Sequence, residues 1–319
     1  MGEARGHHYI SQCYLKRFTR NGNKKSKLWV CNLANGNTFS TAPANVAKER
    51  DFNRIAGQPP GVLDNRLGIF ETQADKALNT IEQSRSLEDF DAWLHVLNLA
   101  ALFAVRTPRM RESVREFHER LARMIMDVTL AKPERWEAQM RQAREAGHIA
   151  DASKVTYEQI KEFHERGEYT ITVPTTRHIG YEFHVFEPVL KTLVDRKWTL
   201  YLAAPDSGGF ITTDNPVCLM NTDGAPATLA RPIGHGLTGT TVIFPITRSL
   251  LAVGEFEDGG SMYQVGRDFV ATYNALVMAH ADKYVFAADD RFLLSQGLDK
   301  PLARGIDLPG LIRTAKAQG

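Results

Sequence analysis

Residues 7–18 read HHYISQCYLKRF, and the rest of the chain can be interpreted outward from this stretch. Two adjacent histidines and a tyrosine come before any hydrophobic run long enough to form a core. Because chain termini are usually loose, a terminus this rich in aromatic and titratable groups is expected to be held against the body of the protein. Leu15 and Phe18 supply apolar side chains for that contact. The stretch is therefore predicted to anchor the terminus first, and to supply functional groups second.

The composition is that of an ordinary globular protein. Its 319 residues allow one large or two modest domains, and its net charge of +2 is too small to predict nucleic-acid binding by itself. The best apolar run, residues 96–105, is about half the ~20 residues that a membrane-spanning helix needs. The three cysteines lie far apart without zinc or disulfide spacing. We therefore expect free thiols, a cytoplasmic location and no membrane partner.

A β-hairpin is predicted over residues 28–41. Asn-Gly at positions 35–36 lies between two β-prone runs, and this arrangement is the strongest short hairpin signal. A loop rich in glycine and proline follows the next charged run. Residues 1–60 are therefore expected to hold the N-terminal anchor and this hairpin.

Residues 61–195 have the spacing of helices, since apolar residues recur every three or four positions. The predicted helices span, in order, residues 64–83, 87–105, 109–130, 133–146, 156–166 and 178–195. Asp64 is placed at the start of the first of them as its cap. Pro108 is expected to separate the second from the third, because proline lacks an amide donor and clashes with the preceding turn.

Residues 196–319 are predicted to be β-rich. The predicted strands span residues 198–203, 210–213, 240–244, 250–253 and 284–287, a helix spans 262–282, and a further short strand precedes this region at 169–173. Gly208 and Gly209 lie between the first two strands, which are therefore expected to pair as a hairpin. Segregated helices and mostly antiparallel strands predict a single α+β domain with a central helical layer.

Short motifs along most of the chain resemble one protein family. They are His8-Tyr9, Leu28-Trp29-Val30, Asn45-Val46-Ala47, Arg50-Asp51-Phe52, Phe70-Glu71, Arg106-Thr107-Pro108 with Arg111, residues 210–216, Phe244-Pro245-Ile246, and Asn274 before Tyr284-Val285. In this order they resemble the bacterial family called domain of unknown function 4238. Three positions depart from its pattern: Gln12 replaces a frequent proline, Asn53 a common aromatic residue, and Thr213 a frequent serine. The family name implies no activity.

The histidine pair supplies the first candidate groups. Adjacent residues on a strand face opposite ways, so one of the two is expected to face a site, and His8 beside Tyr9 is chosen over His7. His8 is the candidate catalytic histidine and Tyr9 a candidate substrate contact. Asp51 is a candidate to orient His8 or to bind a metal. The alternative for Asp51 is a local ion pair with Arg50, which contributes only ~0–1 kcal/mol when exposed.

Three arginines at the predicted helix break give the strongest local ligand signal. Arg106, Arg109 and Arg111 can present planar guanidinium forks to a phosphate or carboxylate, and a helix N-terminus adds amide donors. They are the candidate substrate-binding residues for an anion. Glu71, on the apolar face of its helix, is a candidate catalytic carboxylate that needs a partner or a raised pKa. The alternative is a structural network that joins these arginines to Glu71 and Asp51.

Residues 212–216 end a predicted strand. Pro216 restricts Asn215 to an extended geometry, so Asp214 is expected to project from a rigid strand end as a catalytic carboxylate. Asn215 and Asn274 are further candidate substrate-binding residues. The alternative for Asp214 is a turn in which its carboxylate accepts nearby backbone amides.

The spacing of His178, Glu182 and His184 does not match the helical His-Glu-x-x-His motif, so these residues are interpreted as a solvated face. No dinucleotide-binding, P-loop or nucleophile-elbow motif is present in the sequence.

Three functional hypotheses follow. The first is a phosphoester hydrolase or nuclease, with a divalent ion such as Mg²⁺ or Mn²⁺ as its candidate cofactor. The second is a non-catalytic module that binds a nucleotide or nucleic acid through the helix of residues 106–123. The third is that the same polar residues close a buried structural network. The first hypothesis requires a single cleft lined by His8, Arg106, Arg109 and Asp214, with Glu71 in or just behind it.

Overall fold

The computed structural model describes residues 6–149 and 155–318. The helices are α1 (Gln12–Leu15), α2 (Val62–Ser84), α3 (Phe90–Val105), α4 (Pro108–Leu130), α5 (Pro133–Glu145), α6 (Tyr157–Arg166), α7 (Thr175–Val194), α8 (Arg267–Ala279) and α9 (Leu308–Gln318). The strands are β1 (Gly6–His8), β2 (Leu28–Asn32), β3 (Thr38–Thr41), β4 (Lys48–Arg50), β5 (Lys197–Ala203), β6 (Thr212–Thr213), β7 (Cys218–Asn221), β8 (Thr240–Thr247), β9 (Leu250–Glu255), β10 (Met262–Val265), β11 (Tyr284–Ala287), β12 (Leu293–Leu294) and β13 (Ala303–Arg304). The predicted α+β class is confirmed.

The chain divides into two compact units. Met1–Arg109 and Ile179–Gly319 form the first, called the main unit here, and Met110–His178 form the second, called the helical unit. In the described part of the chain, no helix combines the length and apolar composition needed to cross a membrane.

The five-stranded sheet of the main unit has the order β10-β5-β9-β8-β7, and its strands β8 and β9 are buried on both faces. Alternate residues of β8 and β9 enter two different cores, because successive side chains of a strand face opposite ways. Phe244 and Ala252 pack in one core with residues of α1, α2 and α3, while Ile243 and Val253 pack in the other with residues of α8 and β11. All pairs in this sheet are antiparallel except β10 with β5.

A second sheet of the main unit has the order β3-β2-β11-β6. The predicted hairpin is confirmed, since β2 and β3 pair antiparallel and Gly36 adopts a φ of 72° in their connection. The hairpin predicted between residues 198–203 and 210–213 is wrong. Strand β5 pairs with β9 and β10, and β6 pairs with β11. A Cβ on Gly208 would lie 2.5 Å from the Arg291 carbonyl oxygen, so this glycine permits a close backbone approach and does not form a hairpin turn.

The helix boundaries follow local signals. Helix α3 begins after Asp89, whose side chain accepts a hydrogen bond from the Ala92 amide, and Pro108 opens α4 as predicted. Helix α2 begins at Val62 after Gly61, which places Asp64 inside the first turn and corrects its prediction as the cap. The helix predicted over 262–282 is divided into β10 and the shorter α8, and the strand predicted at 169–173 does not form.

The N-terminal stretch is a deeply packed anchor. Tyr14 is fully buried, and its hydroxyl lies 2.7 Å from both Thr212 Oγ1 and the Pro245 carbonyl oxygen. Its ring stacks on Phe244 at a centroid distance of 5.5 Å. Leu15 and Phe18 of the same stretch are also completely buried. The stretch therefore joins the helical layer to the five-stranded sheet.

The helical unit has few buried side chains. Val114, Leu130 and Met140 are its buried apolar residues among those that the structure describes. Its α4 segment instead exposes an apolar stripe at three- and four-residue spacing, made of Phe117, Leu121, Met124, Ile125 and Val128. Helix α6 begins with a capping box between Thr156 and Gln159.

Candidate functional site

The histidine pair lies on β1, which forms a short antiparallel ribbon with β4. His7 is opposite Glu49 and His8 is opposite Lys48, so the two imidazoles face opposite sides of the ribbon as expected. His7 faces the start of α2. Its Nδ1 lies 3.0 and 2.9 Å from the two carboxylate oxygens of Asp64. The first turn of α2 thus supplies a carboxylate partner for a histidine 57 residues earlier in the chain.

The contact with Asp64 fixes the protonation pattern of His7. A carboxylate accepts hydrogen bonds, so Nδ1 carries the proton and Nε2 of neutral His7 carries the lone pair. No hydrogen bond to Nε2 occurs within residues 6–149 and 155–318. The His7 side chain keeps 11% of its surface exposed, and that of Asp64 keeps 37%. This arrangement can accept a proton from a molecule that reaches Nε2.

A chain of polar contacts continues behind Asp64. Asn53 Nδ2 donates to Asp64 Oδ1 at 2.7 Å, and the Arg106 guanidinium donates to Asn53 Oδ1. Asn53 and Arg106 are 5% and 4% exposed. The guanidinium lies over the Phe52 ring at 5.1 Å, with its Nε 3.8 Å from Glu182 Oε2. Arg106 therefore supports the His7–Asp64 pair from inside the protein.

The pKa values of two carboxyl groups, those of Asp64 and Glu71, are shifted in this cluster. Burial raises the pKa of Asp64, but hydrogen bonds from His7 and Asn53 outweigh it and leave the pKa below its usual value. Burial raises the pKa of Glu71, while the positive charge of Arg106 opposes the shift. Asp64 is therefore held ionised beside His7. The predicted association of Glu71 with Arg106 is an electrostatic one.

His8 lies on the opposite side of the ribbon. Burial and the charge of Lys48 lower its pKa, and the carbonyl groups of Pro43 and Ala44 oppose that shift. Its Nε2 is buried without a hydrogen-bond partner among the described residues. The His8 carbonyl oxygen, and not its imidazole, lies near Arg106, at 3.4 Å from Nη1. The structure therefore joins the backbone of His8 to the cluster.

Asp214 is 3% exposed at the end of β6, where its carboxylate accepts the backbone amides of Asp282, Lys283 and Tyr284 at 2.8–2.9 Å. Burial outweighs these bonds and raises the pKa of Asp214 to about 6. Tyr9 is 6% exposed, and burial followed by the charge of Asp214 raises its pKa. Asp214 thus fixes the loop that precedes β11. The amides that it accepts belong to residues 282–284, and not to the local turn given as the alternative.

The two candidate asparagines also bond to the backbone. Asn274 is completely buried, accepts the Ile211 amide and donates to the carbonyl oxygens of Gly209 and Leu293. Asn215 donates to the His280 carbonyl oxygen at 3.0 Å. Both asparagine side chains therefore hold neighbouring backbone segments in place.

Asp51 and the remaining arginines lie near the surface. Asp51 has a φ of 56° and forms an ion pair with Arg50 at 3.4 Å, with both side chains about half exposed or more. Arg109 is exposed in the main unit, and Arg111 is half-buried in the helical unit. Further along α4, the Arg115 guanidinium is bonded to glutamates on both sides of it.

A metal site was one expectation for the candidate residues. In the described ranges, no group of three or more histidine, cysteine, aspartate or glutamate side chains lies close enough together to hold a metal ion. The predicted hydrolase was also expected to use His8, Arg106 and Asp214 in one cleft. The structure instead brings together His7, Asp64, Asn53 and Arg106, with Glu71 and Glu182 beside them.

Sequence reasoning missed three members of this cluster. His7 was passed over for its neighbour, Asp64 was assigned to a helix cap, and Asn53 was noted only as a departure from a family pattern. The interpretation of Glu182 as part of a solvated face is wrong, since it is 4% exposed. One signal was available: Gly61 precedes Asp64, and glycine is among the favoured N-cap residues, so Asp64 was not needed as the cap.

Comparison with known proteins agrees with the resemblance in the sequence. No curated protein and no solved structure matches the chain. One family model, described as Protein of unknown function (DUF4238), matches residues 6–291. The matched range includes β1 with its two histidines, all of α2 and α7, and the sheets up to β11. Because this match covers most of the sequence, the chain belongs to the DUF4238 family.

Proposed function

We propose that this protein is a hydrolase for a phosphate-containing substrate, in which His7 accepts the proton of the attacking water. The observation that carries the proposal is the contact of His7 Nδ1 with both oxygens of the Asp64 carboxylate, at 3.0 and 2.9 Å. A carboxylate in this position selects the tautomer that leaves Nε2 as the proton acceptor.

The proposed reaction is a single displacement at phosphorus. As the water oxygen bonds to phosphorus, its proton moves to His7 Nε2, and Asp64 stabilises the imidazolium that forms. The bond from phosphorus to the leaving oxygen, on the far side of phosphorus, breaks as the new bond forms. That oxygen takes a proton from solvent water, and the imidazolium releases its proton to solvent to restore neutral His7. General acid–base catalysis of this kind contributes typically 10²–10⁴-fold in rate.

Arg106 is a positioning residue in this proposal. Its guanidinium holds Asn53, and Asn53 in turn donates to Asp64 Oδ1, which fixes the carboxylate against His7. The positive charge also keeps the Asp64 carboxyl ionised. The sequence hypothesis gave Arg106 a direct contact with the anion, and its 4% exposure favours the indirect role.

The ribbon also carries two exposed cations, on the face opposite His7. Lys48 and Arg50 lie on β4, opposite His8 and Gly6, and both side chains are exposed. Exposed cations of this kind can raise the local concentration of an anionic substrate without contacting it at His7.

The test is a hydrolysis assay with bis(4-nitrophenyl) phosphate, 4-nitrophenyl phosphate, and labelled RNA and DNA oligonucleotides, each with Mg²⁺, Mn²⁺ or a chelator. We expect cleavage of at least one substrate, and a loss of about 100-fold or more in His7→Ala and Asp64→Asn. His184→Ala is the matched control, because His184 is an exposed histidine outside the cluster. Equal activity of wild type and His7→Ala would overturn the proposal.

Two other outcomes have distinct signatures. Oligonucleotide binding that weakens with salt, without turnover, would support the non-catalytic module on the helix of residues 106–123. The intrahelical bonds from Arg115 and Arg123 to Glu119 reduce the charge available for such binding. If the His7 and Asp64 variants lower only the melting temperature, the cluster is a structural network.

A further inference from the structure

A cleft lies over the β10 edge of the five-stranded sheet, apart from the His7–Asp64 pair. Its volume is about 340 Å³, within the range of small-ligand sites. Three tyrosines and two carboxylates are among its lining residues: Tyr201, Tyr263, Tyr273, Glu255 and Asp258. The cleft therefore combines aromatic faces with negative charge.

Strand register explains why these side chains meet. Tyr263 of β10 is the parallel neighbour of Tyr201 on β5, so the two rings share one face of the sheet and stack at 5.9 Å. Tyr273 reaches the same face from α8, with its ring centroid 6.0 Å from that of Tyr201. Glu255 ends β9, the next strand of the sheet, and Asp258 follows in the loop after it.

The three tyrosine hydroxyls of the cleft are not held by other described residues. Within the described part of the chain, none of Tyr201, Tyr263 and Tyr273 makes a side-chain hydrogen bond. Tyr263 is exposed, but Tyr201 and Tyr273 are half-buried, and buried tyrosine hydroxyls usually find a partner. Burial, followed by the charge of Glu255, raises the pKa of Tyr201. Burial, followed by Tyr201 and Glu255, raises the pKa of Tyr273 to about 12. The hydroxyls of Tyr201 and Tyr273 thus stay neutral and can hydrogen-bond to a ligand.

Among the described residues, Glu255 makes no ion pair. Its Oε1 accepts a hydrogen bond from Thr241 Oγ1 at 2.7 Å. Two neighbouring basic side chains are held by carbonyl oxygens: Lys197 by that of Glu257, and Arg196 by those of Thr240, Gly254 and His235. Glu255 still acts electrostatically on the Arg196 guanidinium, but without an ion pair its carboxylate can take a cationic partner in the cleft.

We propose that this cleft binds a small organic cation, an alkylammonium or guanidinium group. The charge of the cation lies against Glu255 and Asp258, and its carbon-bound surface lies on the rings of Tyr201 and Tyr263. Tyrosine faces attract such cations through the ring quadrupole, and desolvation strengthens the attraction. This site does not depend on the proposed hydrolase chemistry.

Isothermal titration of the whole chain with choline tests the proposal, with 3,3-dimethylbutan-1-ol as the neutral molecule of the same shape. Choline is expected to bind and the alcohol is not. Glu255→Gln keeps the bond from Thr241 and removes the charge, so it should weaken choline binding about tenfold or more. Tyr263→Leu should weaken binding similarly, while Tyr263→Phe keeps the ring and most of the affinity.

Glu257→Gln is the matched control, since it removes an exposed carboxylate of the same loop that does not line the cleft. A second titration with the peptide acetyl-Gly-Arg-Gly-amide distinguishes a protein side chain from a free cation as the source of the ligand group. The proposal fails if the alcohol binds as well as choline, or if Glu255→Gln binds choline as tightly as wild type. It also fails if neither choline nor the peptide binds at millimolar concentration.

Discussion

Arg17 of the main unit and Arg115 of the helical unit make ion pairs of nearly the same length in different surroundings. Arg17 is 4% exposed and reaches Asp75 and Glu82 of α2 at 2.7 and 2.6 Å. Arg115 is 29% exposed and reaches two glutamates of its own helix, both at 2.6 Å. A buried ion that loses its partner stays uncompensated, whereas an exposed one is hydrated again. Burial, and not the length of the ion pair, therefore determines how much stability is lost when the pair is broken.

The largest effect is expected at the buried pair. Arg17→Ala should lower the free energy of unfolding by about 3 kcal/mol, near the low end for buried pairs because both carboxylates are partly exposed. Denaturant unfolding measures the change. A loss no larger than that of Arg115→Ala would contradict the comparison.

A second effect concerns the pH dependence of the main unit. The pKa of Asp214 is about 6 in the folded protein and ordinarily 3.8, so the folded state keeps a proton that the unfolded state has lost. Stability from this group is complete below pH 3.8 and is lost as the pH rises to 6. The loss is about 3 kcal/mol.

Unfolding curves of wild type and Asp214→Asn between pH 4 and 7 test this sign. The wild type should lose stability relative to the variant as the pH rises, because only the wild type releases a proton there. Parallel stability profiles of the two proteins would show that burial does not raise the pKa of Asp214.

Next in size is the removal of one buried hydroxyl. Tyr14→Phe leaves the ring stacked on Phe244 and removes the bonds to Thr212 and the Pro245 carbonyl oxygen. Unsatisfied buried partners cost about 1–3 kcal/mol, so we expect a loss of about 2 kcal/mol in denaturant unfolding. An unchanged midpoint would mean that the anchor depends on apolar packing alone.

The smallest effect is expected in the helical unit. Arg115→Ala removes two exposed ion pairs, so its unfolding transition should coincide with that of wild type at physiological salt. Circular dichroism during thermal unfolding provides the measurement. A clear fall in the melting temperature would show that surface pairs of α4 hold this unit together.

Local signals in the sequence predicted the elements whose contacts are local. The Asn-Gly turn located the β2–β3 hairpin, and Asp89 and Pro108 located helix ends, because each signal acts within a few residues. The wrong predictions concern strands that pair with residues far away in the sequence. Strand β10 pairs with β5, about 60 residues earlier, and periodicity alone assigned its residues to a helix.

The candidate site shows the same division. Alternation along β1 correctly predicted that the two histidines face opposite sides. Which side holds the carboxylate depends on Asp64, 57 residues away in the chain, and no spacing rule connects the two. Arg106 was found from its position at a helix break, but its burial comes from tertiary packing with Asn53 and Glu182.

The central claim is that His7, paired with Asp64, accepts a proton in a hydrolytic reaction. Chemical rescue tests it most directly: the His7→Ala variant is assayed for phosphoester cleavage with and without added imidazole. We expect the variant to lose activity about 100-fold or more and imidazole to restore part of it, while Asp64→Asn is not rescued. Wild-type activity in His7→Ala, or an equal response to imidazole in His184→Ala, would contradict the claim.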